Sequence, residues 1–207
     1  MRTLTYLVAT TLDGYIAEPD GGDPTGSLFT PGPDYLEHLI AHHPETLPAA
    51  ARAALGVTDP GTRFDTVLEG RRSYQNGLDA GITNAYPHLR HLVFSRTLGT
   101  SPDPDVEVIA TDPVEKVKQL KAEPGRGIWL VGGGELAGVL YQEIDELVLK
   151  VNPVTTLSGI PLFAGKVTSQ RRFTLTDHMT LDSGVAIHTY LATENRDDKE
   201  CLVCERQ

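Results

Sequence analysis

Cysteine is nearly absent: the 207 residues hold two, Cys201 and Cys204, in one Cys-Leu-Val-Cys run close to the C-terminus. A structural zinc site needs four ligands, and the 7 histidines show no ligand spacing, so no metal is expected. The pair allows three readings: a redox couple, half of a metal site shared across a dimer, or part of a frayed polar tail. The tail is the plainest. Basic residues are also scarce. The 18 Lys and Arg stand against 28 Asp and Glu, for a net charge of −10. That balance excludes the basic stripe a nucleic-acid surface requires. No apolar run is long enough to span a bilayer. Met1-Arg2-Thr3 leads directly into a strand rather than a secretory leader, so a cytoplasmic location is expected.

What is present describes an ordinary globular chain, 40% hydrophobic and 22% charged. Its length suits one well-buried core. No repeat or long linker divides it, so one domain over 1–193 and a polar tail over 194–207 are expected. Strand-like and helix-like segments alternate along it. Thr3 to Thr10 is an apolar strand, and 18–33, dense in Gly, Pro and Asp, is a loop. Tyr35, Leu36, Leu39 and Ile40 place one apolar face on a helix over Asp34–His43. Alanine-rich Pro48–Leu55 is a second helix, Asp65–Glu69 a strand, and Arg71-Arg72-Ser73-Tyr74 opens a third helix.

Further strands are read at His91–Ser95 and Val106–Ala110. Asp112-Pro113-Val114-Glu115 offers an N-cap, a proline at N1 and a capping-box acid. Glu146–Asn152 alternates, with Leu147, Leu149 and Val151 on one side. Arg172–Leu181 and Val185–Leu191 flank a turn at Asp182-Ser183-Gly184. The order implies an α/β fold: one three-layer domain with a mixed sheet of about eight strands, helices on both faces and a terminal antiparallel hairpin.

The most informative stretch is Ile128-Trp129-Leu130-Val131-Gly132-Gly133-Gly134-Glu135-Leu136. Four apolar residues read as a strand buried on both faces, with Trp129 in the core. Three glycines then allow a sharp turn and close approach. A helix over Glu135–Gln142 would aim its free N–H groups and positive dipole end at that turn, an arrangement suited to a phosphate. The alternative is a tight turn that binds nothing. The turn does not spell G-x-G-x-x-G and no Lys-Ser or Lys-Thr follows it, so Rossmann and Walker loops are poor fits. Gly70-Arg71-Arg72-Ser73 repeats the strand-end pattern, and Ser95-Arg96-Thr97 adds a third. Guanidinium groups at three strand ends suit a phosphomonoester. Singly, each arginine is better explained by pairing with a surface acid; together, at three strand ends, they favour a ligand.

In these segments the chain resembles the dihydrofolate-reductase-like superfamily, and most closely the reductase domain of bacterial riboflavin biosynthesis. Thr11-Leu12-Asp13-Gly14-Tyr15-Ile16-Ala17 is similar to the S-L-D-G-x-I-A signature, and Val67 to Tyr74 to V-x-M-G-R-x-T-[YW]. Val131 to Leu136 is similar to the G-G-G-x-[LV] turn, and Leu147 to Phe163 to the strand and loop before the final hairpin. The resemblance implies a dihydrofolate-reductase-like sheet and an NADPH-dependent reductase, similar to 5-amino-6-(5-phosphoribosylamino)uracil reductase. By that likeness Ala9 and Ile16 meet the nicotinamide. Gly70, Arg71, Arg72 and Ser73, with Gly132, Gly133, Gly134, Glu135 and Leu136, cradle the pyrophosphate. Ser95 and Arg96, with Arg71, take the 2′-phosphate.

The substrate implied is a small planar molecule, aminopyrimidine or pterin-like, with an electron-poor C=N or carbonyl. Asp34 best resembles the acid that such enzymes use to hold substrate or relay a proton, although a helix cap explains it equally well. Asp13 is the other acid near the cleft. Lys150, Lys166, Arg171 and Arg172 are candidates for a substrate phosphate only by their nearness in sequence. A homodimer is expected. The rival class is a non-catalytic NADP(H)-binding sensor or interaction protein on the same fold.

Overall fold

Leu4 to Thr11 is enclosed along nearly its whole length, as a strand covered on both sides must be. In the computed structural model, which describes residues 1–165 and 170–193, this strand (β1) lies near the middle of the sheet. The order of elements continues with β2 (Tyr15–Ala17), α1 (Pro33–His42), a 3-10 turn at Pro44–Thr46, α2 (Ala49–Leu55) and β3 (Phe64–Gly70). Next come α3 (Arg71–Asp79), β4 (Arg90–Phe94), β5 (Val106–Ile109), α4 (Pro113–Ala122), β6 (Gly127–Gly132) and α5 (Gly134–Val139). β7 (Glu146–Asn152), β8 (Ile160–Pro161), β9 (Phe173–Thr180) and β10 (Ala186–Ala192) complete the order. The tail from 194 to 207, with Cys201 and Cys204, and Lys166 lie outside the described residues.

Eight strands form one sheet in the order β5-β4-β3-β6-β1-β7-β10-β9. The strands from β5 to β7 pair in parallel, and β7-β10-β9 are antiparallel. The period of two along β1 separates two cores. Leu4, Tyr6 and Val8 join Val117 and Leu120 of α4 and Leu136 and Ala137 of α5. Leu7 faces the other way, with Val67, Trp129 and Val148, under Tyr35 of α1. Helices therefore cover both faces, and the expected mixed α/β sheet is present.

Local chemistry explains most element ends. Asp112 caps α4, its Oδ1 accepting from the Val114 amide at 2.8 Å. Glu115 does not close a capping box; it pairs with Lys118 at 3.2 Å. The hairpin turn spans 182–184, with the Leu181 amide donating to the Val185 carbonyl at 2.9 Å. Gly184 there has φ +83, which favours glycine.

Three expectations need correction. α5 stops at Val139 rather than Gln142. A Cβ on Gly138 would overlap the Ala164 carbonyl, and the chain then tightens through Tyr141-to-Gly138 and Glu143-to-Leu140 bonds to enter β7. β7 is not one-sided, because Val148 is buried along with Leu147; it is flanked by β1 and β10. Finally, β2 and β8 form a separate two-stranded sheet, and a two-residue strand leaves no periodicity to read.

The segment after α1 is tied in by a buried acid. Glu45 is fully enclosed, and its Oε1 accepts from the amides of Arg63 at 2.8 Å and Phe64 at 2.9 Å. Glu45→Ala leaves both amides unpaired and should cost about 3 kcal/mol in urea unfolding. His43, beside it, is buried with Nδ1 unpartnered. Burial first, then the Arg63 charge, pushes its pKa down to about 3. The unfolded chain binds a proton there near pH 6.5 and the folded one does not until about 3. Stability therefore falls as pH drops through that window, by at most about 1.4 kcal/mol per unit. His43→Gln should flatten the slope of unfolding free energy between pH 6 and pH 4, relative to wild type.

Candidate active site

The C-terminal ends of β1, β3 and β6 open onto one cleft of about 430 Å³. Leu7 and Ala9 of β1, Ile16 of β2, Tyr35 of α1, and Trp129 and Val131 of β6 make its apolar walls. Trp129 is a core residue as expected, its indole N–H donating to the Leu7 carbonyl at 3.1 Å, and it also faces the cleft. The loop after β2 closes one side. There Gly21 crosses the Arg72 side chain, and its carbonyl accepts from Asn76 Nδ2 at 3.1 Å.

The three glycines after β6 serve different purposes. A Cβ on Gly132 or Gly133 would meet only loose neighbours, with Ser73 Oγ at 3.8 Å. A Cβ on Gly134 would overlap the Pro161 carbonyl oxygen. Gly134 thus exists for packing against β8, and Gly132 and Gly133 leave the open surface. Gly70 lies against them; a Cβ there would stand 3.4 Å from the Gly133 nitrogen. Helices α3 and α5 both begin at this junction, and the first N–H groups of a helix have no intrahelical partner.

The arginines divide by position. At the opposite ends of the strands cations are neutralised: Arg2 by Asp65, Arg63 by Glu146, Arg90 by Glu107 and Glu123, Lys121 by Asp145. Among the described residues Arg71, Arg72 and Arg96 have no ion pair, so the surface-pairing explanation fails for them. Arg71 Nη1 is buried without a hydrogen-bond partner. Arg96 is exposed. Ser95 is buried, and its Oγ already accepts from the amides of Thr97 at 3.2 Å and Leu98 at 3.0 Å. Leu136 is a core side chain and Glu135 is exposed, so neither side chain enters the cleft.

Neither expected acid lines the cleft. Asp34 sits in the first turn of α1, behind the N-cap Gly32. Its Oδ2 accepts from the Ser183 amide at 2.7 Å and Oδ1 from Tyr35 at 2.8 Å. The Ser183 bond is the main cause holding its pKa below the usual carboxylate value. Asp34 thus pins α1 to the hairpin turn. Asp13 accepts from Leu157 at 2.8 Å and Thr156 at 3.4 Å, joining the turn after β1 to the loop after β7. Its pKa is lowered too, first by the Thr11 hydroxyl. Lys150 does line the cleft, its ammonium over the Tyr35 ring at 5.5 Å. Arg171 instead donates to the Tyr141 carbonyl.

Asp23, in the loop after β2, lines the cleft, and so does a second acid that the sequence reading missed, Glu69. It is 5% exposed at the end of β3, with His91 Nε2 3.4 Å from Oε1. Asn84 Oδ1 accepts from the Tyr86 amide at 3.1 Å, so its 3.0 Å contact with His91 Nδ1 makes that nitrogen the donor. Tyr74 and Tyr86 flank the imidazole edge-on. The Tyr86 hydroxyl is held protonated by burial, and next by the Glu69 charge. One signal was legible: Glu69 stands where the quoted motif has methionine, directly after the apolar pair Val67-Leu68.

A sheet of this order, with two glycine junctions over an apolar cleft, has the riboflavin-biosynthesis reductase-like fold. The sequence pattern of the RibD C-terminal domain matches residues 62–187, and the chain belongs to that family. It is similar to two uncharacterised proteins of Bacillus subtilis (strain 168). It is 28% identical to YwjB over 189 residues, covering 90% of this chain and 96% of YwjB. It is 31% identical to YyaP over 149 residues, covering 66% and 78%. A putative riboflavin biosynthesis protein from Shewanella sp. PV-4 shares the fold at TM-score 0.68 and 22% identity, covering 94% of this chain and all of that one. A Thermotoga maritima diaminohydroxyphosphoribosylaminopyrimidine deaminase/5-amino-6-(5-phosphoribosylamino)uracil reductase shares it at TM-score 0.60 and 14% identity. That alignment spans 93% of this chain and 57% of the Thermotoga chain.

The glycine geometry predicts an asymmetry. Gly134→Ala should lower the thermal midpoint by several degrees, because backbone must move to admit the methyl. Gly133→Ala should leave the midpoint within about one degree, since the space beside it is open.

Proposed function

We propose that this chain is an NADPH-dependent reductase that delivers hydride to a small heterocycle of the aminopyrimidine or pterin-like class. The observation that carries the reading is Arg71 Nη1, a buried donor without a partner among the described residues, on the residue that follows Gly70 of the glycine junction. A guanidinium so placed fits phosphate oxygens, and the free amides at the starts of α3 and α5 fit them too. On this reading Gly70 to Ser73 with Gly132 and Gly133 hold the pyrophosphate. Arg71, with Ser95 and Arg96, holds the 2′-phosphate. Ala9 and Ile16 form the wall against the nicotinamide.

When bound, NADPH supplies the hydride. The protein's own contribution is placement. Leu7, Trp129 and Val131 keep water from one face of the cleft, and Tyr35 limits how a flat ligand can lie there. A second reading, a non-catalytic NADP(H)-binding protein, draws on one observation: the Asp13 and Asp34 carboxylates are both engaged by backbone amides away from the cleft.

Calorimetric titration separates these readings from no cofactor at all. NADPH should bind at least about tenfold tighter than NADH, roughly 1.4 kcal/mol. Arg71→Met should remove most of that preference while leaving the thermal midpoint near wild type. Equal affinity for the two nucleotides, or no binding, contradicts the reading. Oxidation of NADPH with an aminopyrimidine or pterin substrate then favours the reductase, and binding without turnover favours the second reading.

A further inference from the structure

Glu69 is a carboxylate in an apolar cleft that the protein leaves short of hydrogen-bond donors. It is enclosed by β3, β4 and the segment before β4, with Tyr74, Tyr86 and Trp129 near it. Its one polar contact among the described residues is His91 Nε2, and that contact lacks hydrogen-bond geometry. His91 cannot turn its other nitrogen toward the acid without losing Asn84. Two other cations line the cleft: Arg72 of α3, which makes no ion pair with Glu69 among the described residues, and Lys150 on β7, from which β6 and β1 separate it. Three strand spacings are about 14 Å, too far for a direct pair. A buried carboxyl without donors is costly, and a ligand entering the cleft can supply them.

We propose that Glu69 is the specificity-determining contact of this cleft, and that it accepts from paired N–H donors on the edge of a flat ligand. Two carboxylate oxygens match two parallel N–H bonds, as on an amidine, a guanidine or an amino-substituted ring nitrogen. Aromatic and aliphatic walls on either side suit a planar ring. His91, held by Asn84, packs against the carboxylate without hydrogen-bonding it. A neutral amide edge offers one donor fewer and no charge, and a carboxylate edge is repelled. The inference takes the cleft as the substrate site of the proposed reductase, and so rests on that reading.

The test uses benzamidine, benzamide and benzoate as probes of one size and three edges. Their dissociation constants are measured by ligand-observed NMR on the full chain, wild type and Glu69→Gln, with thermal midpoints as the folding check. Glu69→Met is the second variant, since methionine fills the same space without charge. Benzamidine should bind wild type at least tenfold tighter than benzamide, and either variant should abolish that preference. Equal binding of benzamidine and benzamide, no benzamidine binding, or a preference that survives in both variants overturns the proposal. NADPH is titrated into the same samples. NADPH binding without a benzamidine preference sinks this inference alone. A Glu69-dependent preference without NADPH binding sinks the reductase reading and leaves the ligand edge standing.

Discussion

The candidate site depends on the meeting of two strand ends, where Gly70 lies against the Gly132-Gly133 backbone. β3 and β6 are adjacent in the sheet, with Glu69 in register with Gly132. A Cβ at 70 would stand in contact with that backbone, 3.4 Å from the Gly133 nitrogen, and with Leu136, which belongs to the core beneath α5. Because the glycines permit contact, α3 and α5 both start within a residue or two of the junction. Their first amides and Ser73 then gather around one space, with Arg71 next in sequence to Gly70. Everything proposed for the site depends on that convergence.

The charge distribution follows the same division between the two ends of the sheet. The net charge is −10. Its excess acid is partly absorbed where strands begin, by Arg2 on Asp65 and Lys121 on Asp145. Where strands end, Arg71, Arg72 and Arg96 are left without ion pairs among the described residues. Local positive potential in an acidic protein favours an anionic ligand at that point and disfavours polyanions elsewhere. The cleft next to it is apolar except for Asp23, Glu69, Arg72, His91, Lys150 and a few hydroxyls and amides. One end of the site thus suits phosphate, and its floor suits a flat ring.

The sequence carried most of the fold because buried strands and capped helices leave local marks. β1 and β6 read as unbroken apolar runs, and Asp112-Pro113 announced α4. The hairpin turn was legible from Asp182-Ser183-Gly184. What failed to show depends on distant neighbours. The early stop of α5 is imposed by Ala164, and the pairing of β2 with β8 joins segments more than a hundred residues apart. The candidate site was legible where glycine and arginine mark strand ends. It was not legible where function and structure compete for the same residue type. Asp34 and Asp13 looked like cleft acids, and both are fasteners for loops. Gly134 looked like part of the cradle, and it accommodates Pro161. Glu69 was hidden because a lone acid in a strand carries no pattern of its own.

The most direct measurement is a crystal structure of the chain soaked with NADPH. The account predicts the pyrophosphate across Gly132, Gly133 and Ser73, the 2′-phosphate on Arg71, and the nicotinamide against Ala9 and Ile16. Density for the dinucleotide elsewhere on the molecule, or a cradle that stays empty at saturating NADPH, would contradict it.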